Sequence, residues 1–276
     1  MLTRIITGAV ALIIFIPVLF FSDTIIFDIT IALISLLVTI ELLKCIKIAD
    51  KYLICAPSCA VAFIVPLLIR YIRIEAIVLI IIAYLFYLLY AAVFAHKRIS
   101  TSDVALSFFA ALYVTAAFTS ILVVRNLEHG DVLYLTIFIG AWITDTFAYF
   151  TGRLLGRHKL TSVSPKKTVE GAIGGVIFCS LAFVLYGFIV SAMQRFEAEP
   201  NYILLACAGV LVSVVAQLGD LAGSVIKRNY DVKDFGAILP GHGGFLDRFD
   251  SVMAVAPIIM ILGALLMEFE GHGLFV

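Results

Sequence analysis

Residues 202–225, YILLACAGVLVSVVAQLGDLAGSV, decide how this chain is built. A helix rises about 1.5 Å per residue, so a run of this length crosses a hydrocarbon layer roughly 30 Å thick. Its single charge, Asp220, comes late in the run. Gln217, Asp220, Ser224 and Lys227 are then spaced by three, four and three, which lines them along one helical face. A membrane helix that gains a carboxylate, a hydroxyl and a cation in file at one end contributes half of a polar site. Gly219 and Gly223 flank that file and let another helix or a ligand come close.

Outward from this run the same hydrophobic pattern recurs. Further spans are expected at about Ile5 to Phe21, Thr24 to Leu43, Tyr52 to Ile69, Ile74 to Phe94, Val104 to Val124, Val132 to Phe150, Gly171 to Met193 and Ser251 to Met267. The fold class is therefore all-α, a polytopic membrane bundle of about nine transmembrane helices. Ile5 to Phe21 behind Arg4 also has the look of a signal sequence, but no small-x-small cleavage site follows, so an uncleaved first helix is expected. The 63% hydrophobic and 14% charged composition excludes an ordinary water-soluble domain, which has about half apolar and a quarter charged residues.

Nineteen basic and nineteen acidic residues cancel, so no overall field draws in nucleic acid, and none is expected as a partner. Cys45, Cys55, Cys59, Cys179 and Cys207 form no CxxC pair and read as helix-packing residues. Nine spans sort the basic residues unequally. Fifteen fall on the side of the N-terminus, and only Arg70, Arg73, Arg125 and Arg195 on the other. That asymmetry puts the N-terminus and the two longest polar segments in the cytoplasm, in a multi-pass protein of the cell membrane.

One membrane domain over residues 1–276 is the simplest organisation, with apolar helices over 1–130 and a catalytic half over 131–276. In the first part Glu41, Glu75, His96 and Asp103 sit near helix ends and read as solvated or snorkelling boundary residues. In the second part charges enter the runs themselves. Asp145 lies near the end of its run, at a depth where a carboxylate must face protein, water or a cation. The segment Gly152 to Gly171, GRLLGRHKLTSVSPKKTVEG, interleaves Arg153, Arg157, His158, Lys159, Lys166 and Lys167 with Ser162, Ser164 and Thr168. Cations with hydroxyls beside a helix start suit phosphate oxygens, and also suit an ordinary positive-inside loop.

The stretch LPGHGGFLDRFDS, 239–251, sets Gly241, Gly243 and Gly244 around His242. Glycines there allow positive φ and consecutive N–H groups aimed at one anion. Asp247, Arg248 and Asp250 follow directly, and Asp247, Asp250 and Ser251 share one helical face. Carboxylates beside cations and an anion-binding loop describe a metal-phosphate site, with Asp220 and Asp247 as donors suited to Mg2+.

Ser224, Lys227, Arg228, Lys233, Asp234, then Pro240, Gly241, His242, Gly243, Gly244, Asp247, Arg248 and Asp250 resemble the signature of the phosphatidate cytidylyltransferases, or CDP-diacylglycerol synthases. SPKKTVEG (164–171) and QLGDLAGS (217–224) are similar to further elements of that family, and the likeness is strong from Trp142 to Ser251. The resemblance implies Mg2+-dependent transfer of CMP from CTP to phosphatidic acid, with CTP, the lipid and the bilayer as partners, and it leaves room for a homo-oligomer. On this reading Asp220, Lys227 and Asp247 carry the chemistry. Asp220 and Asp247 hold the metal, with Asp250 and Asp145 as weaker ligands. Ser164, Lys166, Lys167, Ser224, Arg228, His242, Gly243, Gly244 and Arg248 bind substrate phosphates, Lys166 and Lys167 taking either the triphosphate or the lipid. A CTP-dependent enzyme of another lipid phosphate is the nearest alternative. An ion-coupled transporter fits poorly, because the polar residues stop at one end of the helices.

Overall fold

The structure is a computed structural model that describes residues 13, 15–193, 200–238, 241 and 243–270. The helices are α1 Ile25–Cys45, α2 Tyr52–Leu68, α3 Ile74–Phe94, α4 Thr101–Asn126, the single turn α5 Gly130–Leu133, α6 Leu135–Leu155, α7 Val169–Ala192, α8 Tyr202–Asn229 and α9 Leu246–Glu270. Among the described residues seven segments are long and apolar enough to cross a membrane: α1, α3, α4, α5 continued by α6, α7, α8 and α9. The chain is a polytopic membrane protein, and among the described residues every extended element is a helix.

Two of the nine expected spans stand apart from these seven. α2 has 17 residues with Pro57 and Pro66 inside it. At about 1.5 Å per residue it falls a few ångströms short of the hydrocarbon layer. Of Ile5 to Phe21, residues 15–20 are helical and lead into a turn at 21–24, while most of the rest lies outside the described residues.

Helix ends follow local chemistry. α4 starts at Thr101, ahead of the expected Val104, because Ser100 and Asp103 cap each other: Ser100 N donates to Asp103 Oδ2 at 2.8 Å and Asp103 N to Ser100 Oγ at 3.2 Å. Lys51 holds the same carboxylate at 2.5 Å. At α7, Thr168 Oγ1 accepts from Gly171 N at 3.1 Å.

The chain divides into two compact units, Met1–Leu122 with Asn229–Phe249, and Val123–Arg228 with Asp250–Val276. In the first, α3 buries only Ile77, Tyr84 and Leu88 and turns its other apolar faces outward. Its anchor is Tyr84, whose hydroxyl shares a 2.6 Å hydrogen bond with Ser58 Oγ of α2 and donates to Ser107 O of α4 at 3.2 Å. Asp28, fully buried on α1, meets Arg70 Nε at 3.1 Å, and Tyr71 donates to it at 3.3 Å.

In the second unit α6 and α7 run in close contact, made possible by glycines. A Cβ on Gly171 would lie 2.6 Å from Ala148 O, and one on Gly175 3.1 Å from Thr144 O. Gly219 does the same for α8 and α9, since a Cβ there would lie 2.5 Å from Ala254 Cβ and 2.9 Å from Asp250 O. Helix, rather than ligand, fills the space that Gly219 leaves.

Candidate active site

The polar file of α8 meets the loop between α6 and α7. Lys167 Nζ sits 2.5 Å from Asp220 Oδ2, with the two side chains 25% and 28% exposed. Lys167 gets there because the loop folds back on itself. Leu160 N donates to Lys167 O at 2.9 Å, Lys167 N to Ser164 O at 3.0 Å and Val169 N to His158 O at 2.9 Å. Glu170 closes the loop's neck: it accepts from Arg157 N at 3.0 Å and bonds His158 Nδ1 at 2.6 Å. The two lysines that the sequence leaves equivalent are thus separated. Lys167 faces Asp220, and Lys166 is exposed.

Two more carboxylates join Asp220 from α6 and α9. Ser251 Oγ donates to Asp145 Oδ2 at 3.0 Å, and Ser251 N to Asp250 Oδ1 at 2.8 Å. Asp250 is 7% exposed, and Asp220, Asp145 and Lys227 all act on its carboxylate electrostatically. Three acids and two lysines therefore share one neighbourhood within this unit. Ser224, one helical turn beyond Asp220, is buried, and Arg228 is exposed. Gln217 lies on the expected face but braces α8 on α7, its Nε2 donating to Ala172 O at 3.2 Å.

Among the described residues no group of three or more His, Cys, Asp or Glu is gathered closely enough to hold a metal ion. The donor set still fits Mg2+. That ion prefers hard oxygen ligands, is satisfied by one or two carboxylates, and fills its shell with substrate phosphates and water. Asp145, Asp220 and Asp250 supply such oxygens, and Lys167 on Asp220 marks that carboxylate as one that takes a cation.

The glycine loop belongs to the other unit. Gly241 and Gly243 have φ of 79° and 84°, the left-handed backbone that the glycine run leads one to expect. His242, with Leu239 and Pro240, lies outside the described residues. The amides of this loop meet carboxylates of the chain itself. Phe235 N and Gly244 N donate to Asp247 Oδ2 at 2.8 and 3.0 Å. Phe245 N and Leu246 N donate to Glu41 Oε1 and Oε2 at 3.1 and 2.8 Å. The consecutive N–H groups at 244–246 are thus engaged by Asp247 and Glu41, so phosphate binding by Gly244 cannot rest on its amide in this arrangement. Glu41 is also no solvated boundary residue, being 2% exposed and bonded to the first turn of α9. No motif or period announces it; only the glycines at 236 and 244, which leave room for its carboxylate, bear its trace in the sequence. Asp247 has one oxygen oriented by two amides, the support that ligating carboxylates commonly have. Asp234 and Arg248 are exposed.

Comparison with known proteins bears on the whole chain. A profile of the cytidylyltransferase family matches residues 2–266. The phosphatidate cytidylyltransferases of Staphylococcus haemolyticus, Staphylococcus epidermidis and Staphylococcus aureus are each 38% identical to it, over 95% of this chain and 98% of theirs.

Proposed function

The chain belongs to the cytidylyltransferase family, and from that premise we propose that it transfers CMP from CTP to phosphatidic acid, releasing CDP-diacylglycerol and pyrophosphate. The observation that carries the proposal onto particular residues is the meeting of Asp145, Asp220 and Asp250 with Lys167 and Lys227. A phosphate oxygen of the lipid attacks the α-phosphorus of CTP, the bond from that phosphorus to the bridging oxygen breaks, and pyrophosphate leaves with the electron pair. The lipid phosphate is a competent nucleophile at neutral pH, so no side chain has to remove a proton.

Both reactants are strongly anionic, and the main task of the site is to cancel charge so that they can approach in line. Lys227 and Arg228 contact phosphates from the end of α8. Lys167 exchanges Asp220 for a substrate phosphate, which frees Asp220 to ligate. Mg2+, which one or two carboxylates suffice to hold, would be bound by Asp220 with Asp250 or Asp145 as the weaker second ligand, and would supply positive charge at the reacting phosphate. Asp247 keeps its reading as a ligating carboxylate on the strength of the amide pair that orients it. Lys166, Ser164, Ser224, Arg248, Gly243 and His242 remain substrate-binding residues of the proposal. Counted over the nine spans that the sequence suggests, with α2 taken as crossing, the fifteen-to-four distribution of basic residues supports a cytoplasmic site, where soluble nucleotide reaches membrane-held lipid.

The test is an assay of purified protein with Mg2+, each of the four nucleoside triphosphates, and phosphatidic acid or a polyprenyl phosphate. CDP-diacylglycerol from CTP and phosphatidic acid is the expected product. Turnover of a polyprenyl phosphate with none of phosphatidic acid would transfer the proposal to the alternative lipid acceptor.

A further inference from the structure

We propose that Glu41 is a positioning residue for the transfer, holding the glycine loop and the first turn of α9 in the geometry that orients Asp247. The proposal rests on the cytidylyltransferase reading for its kinetic consequence, and on one structural unit for its geometry. Glu41 lies 204 and 205 residues from the two amides it binds, so it is a long-range clamp and no local cap. A buried carboxylate is costly unless its lone pairs are filled. Here both oxygens accept, from Phe245 N and Leu246 N at 3.1 and 2.8 Å, at the start of a helix whose dipole also favours an anion.

The surrounding chain is shaped to admit this side chain. A Cβ on Gly236 would overlap Glu41 Oε1, and one on Gly244 would overlap Oε2. Asp247 stands in the same shell, its Oδ2 taken by Phe235 N and Gly244 N, and its charge acts on Glu41. Four amides from residues 235–246 thus divide between two carboxylates that repel each other. Without the oxygens of Glu41, Phe245 N and Leu246 N would compete for Asp247. Glu41 keeps Asp247 on its own two amides and so fixes the direction in which that carboxylate points.

The experiment compares wild type, Glu41→Gln and Gly236→Ala, using steady-state kinetics with CTP and phosphatidic acid and hydrogen exchange of the amides at 243–247. Glutamine keeps the size but turns a donor toward one of the two amides. The Gly236→Ala methyl pushes on the same carboxylate without removing its charge. Both should lower kcat by about 10- to 100-fold, as misplacement by about 1 Å does, with KM for phosphatidic acid within about twofold of wild type. Exchange should quicken at 245 and 246 while the α6 and α7 amides stay as they are. Where Glu41→Gln does not yield folded protein, Gly236→Ala carries both readouts. Faster exchange at 245 and 246 with wild-type kcat per folded molecule would overturn the positioning role, as would unchanged exchange. A wild type that makes no CDP-diacylglycerol would instead sink the cytidylyltransferase reading, and the exchange rates at 245 and 246 would still decide whether the clamp exists.

Discussion

Glu41 on α1 and Asp220 on α8 are both acids near the ends of long apolar helices, yet their surroundings differ. Glu41 is 2% exposed and spends both oxygens on backbone amides. Asp220 has a side chain 28% exposed and meets the ammonium of a lysine on a loop. Backbone amides cannot leave without unwinding a helix turn, whereas a lysine on four rotatable bonds can swing to another anion. The first acid is therefore engaged by the fold, and the second can exchange its lysine for another cation such as a metal ion. Filled lone pairs, more than depth in the membrane, separate the acid bound to backbone from the one proposed to carry chemistry.

That difference can be broken experimentally, beginning with the largest effect. Asp220→Asn should lower kcat/KM by about 1000-fold, the scale on which a lost electrostatic contact to the transition state is felt. Its thermal midpoint should stay near wild type, because the group is partly solvated. Glu41→Ala should show the opposite balance in stability, losing about 2–4 kcal/mol in a denaturation series, since one buried and one part-buried N–H group lose their acceptor. Lys167→Ala should cost about 10- to 100-fold in kcat/KM, the worth of one hydrogen bond to a charged group, and Lys166→Ala clearly less. Equal losses at the two lysines would erase the distinction between the one that faces Asp220 and the one that does not. Ser251→Ala, which removes the hydroxyl from Asp145, should cost only about fivefold, as one hydrogen bond of about 1 kcal/mol does.

The helices are legible because hydropathy over about 20 residues is a strong signal in a membrane protein. α3 begins and ends at Ile74 and Phe94, the residues the sequence indicates. Where polar residues enter a helix, the hydropathy signal falls short of its true end. α4 gains Thr101, Ser102 and Asp103, which belong to a capped first turn, and α9 gains Leu246 to Asp250, whose charges mask a helix start. Hydropathy places the end of α2 one residue late, and at 17 residues the helix is shorter than the seven spans of full length. At the site, the spacing of Asp220, Ser224 and Lys227 and the glycine run are visible because both are local patterns. The pairing of Lys167, instead of Lys166, with Asp220 is not, since it depends on how the loop of residues 156–168 closes through Glu170 and His158. The contact of Glu41 with α9, like that of Asp28 with Arg70, is hidden for a simpler reason. A single acid in an apolar run gives no periodicity from which to infer a distant partner.

The most direct measurement is formation of CDP-diacylglycerol from CTP and phosphatidic acid by wild type and Asp220→Asn, each assayed with Mg2+ and after chelation by EDTA. Wild type should be active with Mg2+, silent after chelation and restored by added Mg2+, while folded Asp220→Asn stays about 1000-fold slower throughout. Equal Mg2+-dependent turnover in the two proteins would contradict the placement of the chemistry at Asp220.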